Sequence, residues 1–174
     1  MTAPFFHHAM HDPNPDDPMK FLPLIASLML VPPAFAQTAE PHSVFSLRGE
    51  CQQLSIGDED IRDICGDEIM QVVYTDSTME LAIWTTDPSG RFLVFAGSVE
   101  RTAEGLAQQI DRVIEGRDGS GDNNVEQAAT GRCELIGNPQ HGPARYLCEA
   151  IGKDGTRYGF AFLTDGQLPE SMLD

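Results

Sequence analysis

Residues 133–163 read CELIGNPQHGPARYLCEAIGKDGTRYGFAFL. Cys133 to Ile136 and Ala144 to Ile151 are apolar-rich runs on either side of Gly137-Asn138-Pro139-Gln140-His141-Gly142-Pro143, a turn by composition. If Cys133 faces Cys148 across this hairpin, Leu135 faces Tyr146, so two apolar side chains meet. Asp154-Gly155 then signals a second hairpin, returning as Arg157 to Leu163. A two-residue turn there places Ile151 opposite Tyr158 and Leu147 opposite Phe162. Antiparallel strands joined by short turns are therefore the expected framework.

The same pattern holds upstream. Ile69 to Tyr74 is β-branched and aromatic, Asp76-Ser77 marks a turn, and Met79 to Thr85 alternates. Met79, Leu81 and Ile83 fall on one face of that run, Glu80, Ala82 and Trp84 on the other. Asp87-Pro88-Ser89-Gly90 is a turn in which Pro fixes φ and Gly allows φ > 0. Phe92 to Ala96 is apolar on both faces, which predicts a strand covered on both sides. Arg101 to Gly116 fits two periods. Leu106, Ile110, Val113 and Ile114 suit a helix, whereas Leu106, Ile110 and Ile114 also suit a strand. Gly105 weakens a helix start and the neighbours are strands, so a strand over Gln108 to Ile114 is expected.

Elsewhere Val44 to Leu47 predicts a short strand, and Leu54 to Glu68 an acidic irregular segment with one helical turn at Asp60 to Ile64. Gly116 to Asn124 is a loop, Val125 to Ala129 takes no clear state, and Gln167 to Asp174 is a loose tail. The expected fold is a mainly β, antiparallel small sandwich or barrel, with at most one or two short helices.

Four cysteines, an even count, predict the disulfides Cys51–Cys65 and Cys133–Cys148, because each closes a local loop. The chain has no C-x-x-C, and His42 and His141 lie far apart, so zinc and dithiol redox chemistry are not expected.

Pairing needs an oxidising compartment, and Met19 to Ala36, MKFLPLIASLMLVPPAFA, supplies the route. Lys20 gives a positive start, Phe21 to Val31 an uncharged, mostly apolar run, and Ala34-Phe35-Ala36 a small-residue cleavage site before Gln37. The run falls short of the roughly 20 apolar residues needed to span a bilayer. The expected organisation is a non-native or disordered extension at 1–18, a signal peptide at 19–36 and one periplasmic or secreted β-rich domain at 37–174. On this reading translation starts at Met19, and His7, His8 and His11 are leader residues without a ligand role.

The net charge is −16 at pH 7, and removing the leader's three aspartates and one lysine leaves −14. Such a surface excludes nucleic acid and anionic membranes as natural partners and suits a cationic protein or peptide. No cofactor is expected, since dinucleotide and P-loop fingerprints are missing. Nor is a metal: Asp118, Ser120 and Asp122 alternate as in a calcium loop, but Asn123 and Ala129 fill its two defining positions. No G-x-S-x-G elbow occurs, Ser89 and Ser120 sit in turn compositions, and only His42 and His141 remain as bases after processing. The expected function is a non-catalytic envelope binding module, with Trp84 and Tyr146 as candidate anchors. The alternative is a small envelope hydrolase using paired carboxylates, which a deep cleft holding two carboxylates and no cation would favour.

Overall fold

The computed structural model describes residues 39–103, 105–117 and 124–173. The expected extension at 1–18, the expected signal peptide with its Ala36/Gln37 cleavage site, and the Asp118, Ser120 and Asp122 loop lie outside the described residues.

The strands are β1 (Pro41–Ile56), β2 (Glu59–Asp60), β3 (Cys65–Tyr74), β4 (Thr78–Thr85), β5 (Arg91–Arg101), β6 (Gly105–Arg117), β7 (Val125–Ile136), β8 (Arg145–Gly152), β9 (Arg157–Thr164) and β10 (Glu170–Ser171). A short 3-10 helix, Arg62–Ile64, precedes β3. β1 pairs β3, each later strand through β9 pairs the next, and β9 returns to β1, closing an eight-stranded antiparallel barrel. Closure leaves no open sheet edge among these eight strands.

The first strand makes closure happen. Its first half, through Arg48, pairs with β3, and its second half, from Gly49, pairs with β9. Gly49 sits at the changeover, where a Cβ would lie 2.1 Å from the Leu163 carbonyl oxygen. Only a residue without a side chain lets β9 come in that close.

Alternation then fills the interior. Leu81 and Ile83 of β4, Phe95 of β5, Val113 of β6, Tyr146 of β8 and Phe160 and Phe162 of β9 are fully buried. Phe160 stacks on Phe95 and Phe162 at centroid distances of 6.3 and 6.0 Å. Two amide side chains, Gln71 and Gln108, share this interior. Gln71 accepts a hydrogen bond from the Tyr146 hydroxyl at 2.8 Å. Gln108 donates through Nε2 to the carbonyls of Met79 and Phe95, near the β6 bulge at Asp111, which separates the pairs Ala96/Arg112 and Gly97/Ile110.

The disulfides are Cys51–Cys65, which joins β1 to β3, and Cys133–Cys148, which joins directly opposed residues of β7 and β8. With sequence separations of 14 and 15, each stabilises by about 3 kcal/mol in the chain-entropy model. Between the first two cysteines, buried Ile61 joins the core cluster and half-buried Ile64 packs against it.

The expected pairings Cys133/Cys148 and Leu135/Tyr146 are the observed ones. The next hairpin differs by one residue: Ile151 faces Arg157, Tyr146 faces Phe162 and Leu147 faces Ala161. Its loop holds three residues, not two. Gly152 N–H donates to the Thr156 carbonyl, and Gly155 takes φ +91°, the left-handed residue of a three-residue turn. The slip turns Tyr158 inward, opposite Ala150, and leaves Ile151 53 % exposed.

The stretch that fits two periods contains no helix among its described residues: β5 runs to Arg101 and β6 covers Gly105–Arg117, wider than the expected Gln108 to Ile114. Val125 to Ala129, unassigned from sequence, opens β7. Phe92 to Ala96 is one face core and one face exterior. Its outward Val94 and Ala96 are buried by flanking residues: Val94 lies between Ala82 and Ile114, and Ala96 between Glu80 and Arg112. The tail is not loose throughout, since β10 pairs with Phe45 and Ser46 and Met172 N–H donates to the Val44 carbonyl.

Candidate functional site

Trp84 is half-buried on the barrel exterior, at the end of the outward face formed by Glu80 and Ala82. Phe92 pairs with it from β5, the two rings 6.4 Å apart. On its other side β3 bulges: Cys65 faces Thr85 and Ile69 faces Ile83, so Gly66, Asp67 and Glu68 stand against Trp84 alone. Gly66 is required at that approach, because a Cβ would lie 2.9 Å from the Trp84 carbonyl oxygen. Bulges re-aim side chains, and here Asp67, Glu68, Met70, Trp84, Thr85 and Met172 line one groove of about 360 Å³.

The groove is acidic. Glu68 accepts a hydrogen bond from Ser46 and lies 3.7 Å from the Arg48 guanidinium. Asp67 makes no ion pair among the described residues. It also lines a neighbouring groove of about 420 Å³ with Arg48, Glu50 and Asp165. Across the two grooves four carboxylates face one guanidinium. The acidic run before it is more self-contained: Glu59 pairs with Arg91 at 3.5 Å and Asp63 with Arg62 at 3.3 Å. Among the described residues, no three His, Cys, Asp or Glu side chains converge as metal ligands.

Tyr146, the second expected anchor, is an interior residue. It is 1 % exposed and its hydroxyl is spent on Gln71, while burial pushes the phenol above its ordinary pKa. On the exterior, Tyr74 donates to Glu80, and burial with that hydrogen bond raises its phenol to about 12. Arg112 holds the other oxygen of Glu80 at 3.0 Å. This cluster is a closed structural network. His42 and His141 are both exposed, one at the start of β1 and the other in the β7–β8 loop. Ser89 uses its backbone N–H to hold Asp87 in the turn.

A larger exterior groove, about 1050 Å³ over β7, β8, β9 and β1, mixes Glu134 and Glu149 with Arg132 and Arg157. Arg132 is committed to Glu100 and Glu134 at 2.9 and 3.2 Å. This groove has arginines among its carboxylates; the Trp84 groove holds Asp67 and Glu68 with no cation in its own lining, and Arg48, from the neighbouring groove, lies 3.7 Å from Glu68.

The sequence singles out Trp84 and, separately, the acidic run Asp58 to Glu68, but does not bring Asp67 and Glu68 to Trp84 and does not single out Met70 or Met172. One signal was present: Gly66, at the start of a strand, marks a bulge or a close backbone approach.

Fold and groove together define a class: a closed, disulfide-linked antiparallel barrel carrying an acidic aromatic groove on its outer wall. No family model, no curated protein and no solved structure matches this chain.

Proposed function

We propose that this protein is an exported, non-catalytic binding module of the cell envelope, periplasmic or secreted, whose partner is a cationic protein or peptide. The observation that carries the reading is the juxtaposition of Trp84 with Asp67 and Glu68 at the β3 bulge. An aromatic side chain beside carboxylates suits a basic side chain, which can gain both a cation–π contact and a charge-assisted hydrogen bond. Two disulfides fit an oxidising compartment. Outward strand positions such as Glu80, Glu100, Arg132 and Glu149 are charged, the reverse of the apolar band of a transmembrane barrel. The hydrolase reading gains no support from the carboxylates in the grooves, because Arg48 sits among them and is bonded to one.

The test is capture from an envelope extract at low and high salt, with wild type beside Trp84→Ala and Asp67→Asn. A basic protein retained by wild type at low salt, released at high salt and lost from both variants is the expected result. Equal retention by all three proteins removes the groove from the function.

A further inference from the structure

We propose that the open end of the barrel is a second binding site, for a small carboxylate bearing a short apolar tail. This end is bounded by Arg101 and Gly105 at the facing ends of β5 and β6, by the β7–β8 connection and by the segment after β9. It holds a cavity of about 280 Å³, close to the lower limit of about 300 Å³ for small-molecule pockets. The side chains facing it include Phe45, Leu47, Leu106 and Leu135. Phe45 and Leu106 are only half-buried, although they occupy inward strand positions whose counterparts deeper in the barrel are fully buried. The last interior layer is thus left unfilled.

The lining holds four polar side chains, Gln71, Arg101, Asn138 and Gln140; Asn138 Oδ1 is taken by the Gln140 N–H, and Gln71 and Arg101 give the cavity a direction. Gln71, 8 % exposed, is fixed by the Tyr146 hydroxyl on its Oε1, and its amide carries N–H donors. Arg101 lines the same cavity and is itself exposed. It makes no ion pair or side-chain hydrogen bond among the described residues. Arg48, Arg62, Arg91, Arg112 and Arg132 are all bonded to carboxylates. In a chain of net charge −16, an unpaired guanidinium at the lip of an apolar cavity selects an anion whose body is apolar. The carboxylate meets Arg101 and the tail displaces water from Phe45 and Leu106. This site is separate from the Trp84 groove, with no lining residue in common.

The experiment is a titration followed by amide chemical shifts, with octanoate, octylammonium and octanol as probes of one tail length. Saturable octanoate shifts at Phe45, Leu106 and the Gln71 side-chain amide, with none at Trp84, are expected, and octylammonium produces none. Arg101→Gln weakens octanoate about tenfold, the worth of one charge-assisted hydrogen bond, and leaves octanol unchanged. Leu106→Trp fills the cavity and removes binding of both octanoate and octanol, with a well-dispersed spectrum confirming its fold. Equal binding of octanoate and octylammonium, octanoate shifts centred on Trp84, no saturation through the millimolar range, or an Arg101→Gln variant that binds octanoate like wild type would each overturn the assignment.

Discussion

Trp84 and Tyr146 are both aromatic residues on strands, and the pleat alone separates their roles. Trp84 shares the outward parity of Glu80 on β4, whereas Tyr146 shares the inward parity of Cys148 on β8. Tyr146→Phe therefore acts on stability and not on partner binding. It leaves Gln71 Oε1 without its donor, at a cost of about 1–2 kcal/mol, measurable as a lower urea midpoint with unchanged response to a cationic peptide. A second residue-scale expectation concerns acid. The Thr156 backbone N–H and hydroxyl bond to Asp154 and hold its carboxyl below its ordinary value. A depressed folded pKa contributes stability above the unfolded value of about 3.9, and that stability is lost as pH falls through the lower folded value. Thr156→Val should be less stable than wild type at neutral pH, and the gap in melting temperature should shrink in acid. A constant gap would show that the carboxyl is not involved.

At the scale of elements, most strands were legible because alternation and turn residues agree. Met79 to Thr85 displays both of its faces in the sequence, and the cysteine hairpin carries its own register. What escaped depended on single residues whose meaning is set by distant chain. Asp154-Gly155 fits a two-residue and a three-residue turn equally well, and the difference moves Tyr158 from one face to the other. Closure depends on β1 changing partners at Gly49, which no local pattern announces because the crowding atoms belong to β9. The groove was half legible for the same reason. Trp84 declares its face, but the bulge that brings Asp67 and Glu68 to it is a property of the β3–β4 pairing. Gly49→Ala tests closure. The new methyl meets backbone that cannot step aside, so destabilisation of about 1–3 kcal/mol is expected from the midpoint of chemical denaturation. A neutral result would mean that β9 does not pass this close.

At the scale of the whole molecule, the barrel separates two tasks. Its interior is apolar and crosslinked, so the outer wall is free to carry charge without threatening the fold. A net charge of −16 creates a long-range field that repels like-charged molecules, attracts cations and is screened by salt. Around Trp84 that general field acquires an aromatic contact and a defined position. Trp84 is also the chain's one tryptophan, so its emission reports on the groove without a label. The most direct measurement titrates the protein at low salt with a peptide of lysine and leucine, then with a glutamate and leucine peptide of equal length. A saturable change in Trp84 emission with the cationic peptide, suppressed by salt and weakened a few-fold by Asp67→Asn, is the expected outcome. An unchanged emission, or an equal response to both peptides, would contradict the assignment of this groove to a cationic partner.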